Sequence, residues 1–271
     1  MIRLALRVRR EDAEVALAEL LELAPGGVEE VDLGDRVEYA IYGPPGELPA
    51  LPDVQAAAGD ALVEVVTSEV ADDWAERWKA FHRPVDDGPL RLRPPWEPPR
   101  PEAEIDLVID PGQAFGTGGH HTTRLCLELL LDLEPVGPFV DLGCGSGVLA
   151  IAAARLGWGP VLAVDFDPLA VTATAENAIA NGVPVTAERV DLREQAAPSA
   201  PTVAANLLRP LLLALRFEDP PETLIASGLL REEADEVGAA FSAAHDLVEE
   251  RRVSGGEWCA VLYRRRSSAG G

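Results

Sequence analysis

The stretch Phe139-Val-Asp-Leu-Gly-Cys-Gly-Ser-Gly147 decides the fold of this chain. An apolar run typical of a buried strand leads into a glycine-rich turn, and a helix is predicted to begin near Ser146. Glycines at 143, 145 and 147 let the backbone approach a ligand closely. The first turn of a helix also presents free N–H groups. An open α/β sheet binds its ligands at this position, the carboxyl end of a central strand.

Two kinds of cofactor use a glycine turn of this type. A dinucleotide fold requires G-x-G-x-x-G, whose third glycine lets the helix pack on the strand. Here the pattern is G-x-G-x-G, and Val148 occupies the position of that third glycine. Asp141, two residues before the first glycine, could support the loop or face the cationic end of a cofactor. The spacing favours S-adenosyl-L-methionine, with a nicotinamide-dependent oxidoreductase as the alternative from another enzyme class.

Two neighbouring strands are predicted to end in polar residues beside the turn. Val161–Asp165 ends in an acid, which can accept hydrogen bonds from both hydroxyls of a ribose. The alternative role, capping the next helix, suits Asp167 better. Thr202–Asn206 ends in an amide, which can accept a hydrogen bond from an incoming amine and donate one to a cofactor. For Asn206, too, a helix cap is the alternative.

A second glycine-rich segment, Asp110–Thr123 (DPGQAFGTGGHHTT), lies upstream of the first core strand. A flexible loop at this place can fold over a cofactor held at the end of that strand. His120 could serve as a catalytic base, or it could be a structural histidine of the loop. Thr122 and Thr123 lead into an amphipathic helix.

The pattern along the chain predicts four regions. Residues 1–68 follow the order β-α-β-β-(short helix)-β, which indicates a small ferredoxin-like α+β domain. Residues 69–104 hold an aromatic linker helix and a proline-rich connector. Over 105–265 strands alternate with helices and the last two strands form a hairpin. This predicts a doubly wound, Rossmann-like sheet ending in an antiparallel hairpin, the layout of class I methyltransferases. Residues 266–271 are expected to form a disordered tail.

The composition is that of a globular chain with a strongly acidic balance. Its 271 residues include 23 basic and 46 acidic ones, a net charge of −23. Non-specific nucleic-acid binding requires clustered cations, so we expect no direct nucleic-acid partner and an acidic field that attracts cationic ones. No apolar run reaches about 18 residues, so we expect no membrane span and a cytoplasmic location. We also expect a monomer. Three scattered cysteines without a CxxC pair predict neither a disulfide framework nor a metal site.

At these residues the sequence resembles the PrmA family, the ribosomal protein L11 methyltransferases. DPGQAFGTGGHHTT is similar to the family signature DPGLAFGTGTHPTT. The glycine turn, VDFDPLAVTATAENAIANG, LIASGLL and GEWCAVLYRR also match the family in order. The resemblance implies S-adenosyl-L-methionine as cofactor and methylation of lysine amines of ribosomal protein L11, with the N-terminal amine as a second candidate. It also implies that residues 1–68 recognise the substrate.

Carried over by position, the resemblance implies a set of cofactor-binding residues: Thr123, Gly143, Gly145, Asp165 and Asn206, with Phe115, Gly116 and Thr117 lining the pocket. Asn206 is also the catalytic candidate, because its amide would orient the attacking amine. The sequence departs from the family at Gly119, where threonine is usual, and at His121, where proline is usual. The alternatives are a related lysine methyltransferase acting on another protein, and a non-catalytic homologue.

Overall fold

The computed structural model describes most of the chain. Positions 1, 14–15, 18–19, 21–27, 44–47, 50–51, 53, 55–58, 70–82, 111–119 and 267–271 lie outside the described residues. These positions include the sequence-predicted aromatic helix and the predicted C-terminal tail except for Arg266, whose N–H donates to the carbonyl oxygen of Asp246 at 2.9 Å. They also include Phe115, Gly116, Thr117 and Gly119. The chain divides into two units, Met1–Phe81 and His82–Gly271.

The first unit contains a four-stranded antiparallel sheet. Its strands are β1 (Ile2–Arg9), β2 (Glu29–Asp32), β3 (Arg36–Gly43) and β4 (Leu62–Glu69), in the spatial order β2-β3-β1-β4. Alternate residues of a strand point to opposite faces, so Leu4, Leu6 and Val8 share one face of β1. They are buried together with Leu20, which is helical. This is the α+β arrangement that the sequence predicts for the first domain.

A small sheet begins the second unit. Its strands are β5 (Val85–Asp87), β6 (Leu90–Arg93) and β7 (Ile105–Val108), and β6 pairs with β5 antiparallel and with β7 parallel. Both β5 and β6 lie inside the proline-rich segment, in stretches between prolines. Proline lacks the N–H that a strand needs for pairing, so the prolines bound the strands.

The main sheet of the second unit has seven strands in the order β10-β9-β8-β11-β12-β14-β13. The strands are β8 (Phe139–Leu142), β9 (Val161–Asp165), β10 (Val185–Arg189), β11 (Thr202–Asn206), β12 (Thr223–Leu230), β13 (Leu247–Gly255) and β14 (Trp258–Arg265). The helices are α1 (His121–Leu131), α2 (Val148–Leu156), α3 (Pro168–Asn181), α4 (Arg209–Ala214) and α5 (Ala234–His245). The first five strands in this order are parallel, and β13 and β14 pair antiparallel. The predicted doubly wound sheet with a terminal hairpin is therefore confirmed.

Apolar side chains cover both faces of this sheet. Phe139 belongs to one buried cluster, whereas its neighbour Val140 belongs to the other. The chain runs from β8 outward through β9 to β10 and then returns to β11 on the opposite side of β8. The loops after β8 and β11 consequently diverge, and such a switch point opens a crevice at the carboxyl ends of the strands. Among the helices described, none is both long and apolar enough to cross a membrane.

Candidate functional site

A cavity of about 620 Å³ opens at this switch point, within the second unit. Its wall brings together five residues that the sequence singled out: Thr123, Gly143, Gly145, Asp165 and Asn206. Asp141 and His120 line it as well. The other three candidates lie in 111–119 and are not described. Residues from four separate stretches of chain thus meet at one edge of the sheet.

The glycine turn after β8 is held by the neighbouring strand. The N–H groups of Gly143 and Cys144 donate to the carbonyl oxygen of Val164, at 2.8 and 3.0 Å. Gly143 has φ +72°, and a Cβ atom at this position would lie only 2.3 Å from Cδ2 of Leu207. The left-handed backbone conformation favours glycine here, whereas the Leu207 methyl group is the end of a flexible side chain that can move aside. As a result, main chain rather than side chain forms this part of the cavity wall.

Asp165 has its carboxylate fixed by two backbone donors. Gly145 N–H donates to Oδ2 and Asp167 N–H donates to Oδ1, each at 3.0 Å. The Asp167 side chain in turn caps α3, because its Oδ1 accepts the N–H of Leu169 at 2.9 Å. The prediction that Asp167, rather than Asp165, caps α3 is therefore confirmed. Asp165 is left at the cavity as an oriented hydrogen-bond acceptor.

Asp141 is a buried acid in the middle of β8, only 1% exposed. Its Oδ2 accepts the N–H of Ala150 in the first turn of α2 at 3.1 Å, so it supports the start of that helix. Its Oδ1 has no hydrogen-bond partner among the described residues, although the side chain lines the cavity. Burial raises the pKa of Asp141 to about 7, and the nearby Asp165 adds to the shift. A cation in the cavity would favour its ionised form.

Asn206 stands at the end of β11 and faces Thr123, the third residue of α1. Its Nδ2 donates to Oγ1 of Thr123 at 3.4 Å. The alternative role of Asn206 as a helix cap is wrong, because α4 begins at Arg209 and Leu208 occupies the N-cap position. Because the NH₂ group of Asn206 is directed at Thr123, the amide oxygen of Asn206 is the atom that can accept a hydrogen bond from a ligand.

His120 caps α1 and also lines the cavity. Its Nδ1 accepts the N–H of Thr122 at 3.3 Å and lies 2.8 Å from Oγ1 of the same residue. The ring packs edge-to-face against Trp258, with the ring centroids 5.1 Å apart. Burial, followed by the charge of His121, lowers the pKa of His120. The helix cap therefore supports the structural interpretation of this histidine.

Sequence reasoning missed a polar face on α3. Thr174, Asn177 and Asn181 are buried, and all three donate hydrogen bonds to backbone carbonyls. Their spacing of three and four residues places them on one side of the helix. That spacing was the available signal, since polar residues on a buried helix face require partners.

Sequence reasoning also missed the large apolar side chains that line the cavity around the glycine turn. Phe166 and Leu192 line the cavity near Asp165, and Trp258 lines it near His120. Trp258 comes from the terminal hairpin, 138 residues after His120 in the sequence. No local pattern connects residues so far apart, so only the fold brings them together.

Comparison with known proteins identifies the family. The family model described as "Ribosomal protein L11 methyltransferase (PrmA)" matches residues 51–266. The chain belongs to this family.

Curated relatives support this assignment, and each is named a ribosomal protein L11 methyltransferase. The protein of Pelotomaculum thermopropionicum is 45% identical over 207 residues, which cover 72% of this chain and 67% of that protein. The protein of Heliobacterium modesticaldum is 42% identical, with 72% and 64% covered. The protein of Alteromonas mediterranea is 34% identical, with 90% and 93% covered.

A solved structure of a relative supports the same fold. The ribosomal protein L11 methylase from Lactobacillus delbrueckii subsp. bulgaricus superposes with a TM-score of 0.61 at 27% identity, covering 68% of this chain and 100% of that one. The chain is an S-adenosylmethionine-dependent methyltransferase with a Rossmann-like fold, as the sequence predicted. The nicotinamide-dependent alternative is therefore wrong.

Proposed function

We propose that this chain transfers methyl groups from S-adenosylmethionine to lysine amines of ribosomal protein L11, with the N-terminal amine as a second acceptor. The observation that carries the proposal is the Asn206–Thr123 pair, which lies beside the glycine turn in one cavity. The names of the relatives support the protein substrate. The geometry of the pair supports an amine as the acceptor group.

The cavity has the chemistry that S-adenosylmethionine requires. The fixed carboxylate of Asp165 is suited to the two ribose hydroxyls, and Phe166 and Leu192 offer apolar surface to the flat base. The unpartnered oxygen of Asp141 is suited to a cationic group. Gly143 and Gly145 contribute main chain, without side chains, to the cavity wall. When bound, the cofactor supplies a methyl group already activated by a sulfonium charge.

The chain's own residues then mainly position the acceptor amine. A free lysine has a pKa of about 10.4, and it must lose its proton to attack. Transfer into a poorly hydrated cavity lowers that pKa. The Asn206 oxygen accepts an N–H of the neutral amine, which directs the nitrogen lone pair away from the amide. Thr123 holds the other end of the amide by accepting its N–H. This arrangement uses orientation rather than a dedicated strong base.

The remaining features concern the partner. Residues 1–68 are proposed to select the ribosomal protein, as the resemblance implies. The net charge of −23 favours a basic protein over nucleic acid as the direct partner. We also propose that the chain acts as a monomer, and in the cytoplasm because the proposed substrate is a ribosomal protein.

The decisive experiment is methyl transfer from labelled S-adenosylmethionine to purified ribosomal protein L11, read by intact mass. Mass gains in steps of one methylene would support the substrate and count the methyl groups. Asn206→Ala should lower turnover more than about tenfold, because an unoriented amine loses the advantage of proximity. Asn181→Ala, a buried asparagine outside the cavity, is the matched control.

The outcomes separate the alternatives. Near-normal turnover of Asn206→Ala would contradict the role of that amide. An absence of transfer to ribosomal protein L11, with cofactor binding measured by calorimetry, would redirect the search. It would point to another protein substrate if other basic proteins are methylated, and to a non-catalytic homologue if none is.

A further inference from the structure

The polar face of α3 is bonded to two stretches of chain that are distant in sequence. The first stretch precedes the undescribed segment 111–119. Asn181 pairs with Val108 through both ends of its amide, at 2.8 Å to the N–H and 2.6 Å to the carbonyl. Asn177 accepts the N–H of Asp110 at 2.9 Å. Two asparagines one helical turn apart thus hold Val108, the last residue of β7, and Asp110, two residues further along the chain.

The second stretch is the glycine turn of the cofactor site. Asn177 Nδ2 donates to the carbonyl oxygen of Ser146 at 2.9 Å. Thr174 Oγ1 donates to the carbonyl oxygen of Gly145 at 3.0 Å. The packing here is direct, since a Cβ atom on Gly147 would lie 2.8 Å from Cγ2 of Thr174. The helix therefore rests on the glycine turn with no intervening layer.

Asn177 is the residue of this face that bonds to both stretches. We propose that Asn177 is a positioning residue for the cofactor, because its single amide joins the glycine turn at Ser146 to Asp110, two residues past the end of β7. The inference rests on the proposed function of the cavity. Asn177 is 3% exposed and Ser146 is fully buried. Water therefore has little access to replace a lost bond, and both stretches must shift when the amide is removed.

The consequence is specific to cofactor affinity. Gly145 N–H is bonded to Asp165, so a shift of the glycine turn also disturbs the acid proposed to bind ribose. Asn206 stands on β11 and bonds to Thr123 on α1, and neither of these bonds to the α3 face. Loss of the Asn177 amide should weaken cofactor binding and leave the methyl-transfer step itself nearly intact.

The test compares Asn177→Ala with Asn181→Ala. Both substitutions remove a buried amide from the same helix, but only Asn177 bonds to the glycine turn. The dissociation constant of S-adenosylmethionine is measured by calorimetry without a methyl acceptor, and KM and kcat are then measured with ribosomal protein L11. Asn177→Ala should raise the dissociation constant and the cofactor KM about tenfold, with kcat within about twofold. Asn181→Ala should stay within about twofold of the parent for the dissociation constant.

Equal effects of the two substitutions on the dissociation constant would overturn the proposal. So would a lower kcat for Asn177→Ala at unchanged affinity. If Asn177→Ala does not fold, Thr174→Val removes the hydroxyl that bonds to the Gly145 carbonyl oxygen and to Cys144 Sγ, both in the glycine turn, and leaves the Asn177 amide in place. It should weaken cofactor binding about threefold, and unchanged affinity would then count against the proposal. Because affinity is measured without an acceptor, a wrong protein substrate would not affect this result.

Discussion

Gly228 in β12 lines the cavity and lies close against the backbone of Leu207, and its replacement by alanine tests that contact. The residue has φ +84°, and a Cβ atom here would lie 2.3 Å from the carbonyl oxygen of Leu207 and 2.7 Å from its carbonyl carbon. Ordinary contact begins at 3.4 Å, so the backbone at Gly228 and the backbone at Leu207 must separate by about 1.1 Å. The obstructing atoms are backbone, which cannot rotate away as a flexible side chain can.

The expected cost has two parts. A left-handed backbone costs about 1–2 kcal/mol for a residue with a Cβ atom. Overpacking of a dense interior costs about 1–3 kcal/mol more. Gly228→Ala should therefore lower the free energy of unfolding by about 2–5 kcal/mol. Leu207 directly follows Asn206, and a misplacement of about 1 Å at a reacting group can cost about a hundredfold in rate. We expect turnover to fall by at least tenfold.

Gly137→Ala is the matched control for this substitution. Gly137 has φ +66°, and no atom lies within 4 Å of its Cβ position. It should show the backbone cost alone, about 1–2 kcal/mol, with unchanged turnover. Calorimetric melting and the methyl-transfer assay measure the two effects. Equal stabilities of the two variants would refute the steric argument, and normal turnover of Gly228→Ala would refute the link to Asn206.

Three further predictions concern charge, two of them in the cavity and one over the whole chain. Asp165→Ala should weaken S-adenosylmethionine binding at least thirtyfold by calorimetry, since charge-assisted hydrogen bonds are worth about 1.5–3 kcal/mol. Asp167→Ala, which loses only a helix cap, should change binding less than about threefold. Burial raises the pKa of Asp141 to about 7, so the folded protein holds a proton there that the unfolded chain releases near pH 4. The free energy of unfolding of the ligand-free protein should therefore rise as the pH falls through 7. Cofactor binding is proposed to require ionised Asp141, so it should weaken over the same range by up to about tenfold per pH unit. Asp141→Asn should abolish both trends. Added salt should raise KM for ribosomal protein L11 more than it lowers kcat, because screening weakens attraction to a chain of charge −23; a flat response would contradict steering.

Local sequence patterns were enough to predict the sheet and the class of cofactor. Strand, glycine turn and helix follow each other within the stretch from Phe139 to Leu156, so local pattern is enough to predict them. Parallel strands place their carboxyl ends at one edge. An acid at the end of β9 and an amide at the end of β11 therefore had to meet the glycine turn. Asp167 could be recognised as the cap of α3 for the same local reason.

Tertiary structure alone decided how these groups are supported. The bond of Asn206 to Thr123 spans 83 residues, and the bonds of Asn177 reach residues 31 and 67 positions away. Trp258 meets His120 only because the terminal hairpin returns to the sheet. The raised pKa of Asp141 depends on burial, which a sequence does not specify for one acid in an apolar strand. Local patterns record the period and the turns of each element, whereas contacts across the sheet depend on how those elements pack.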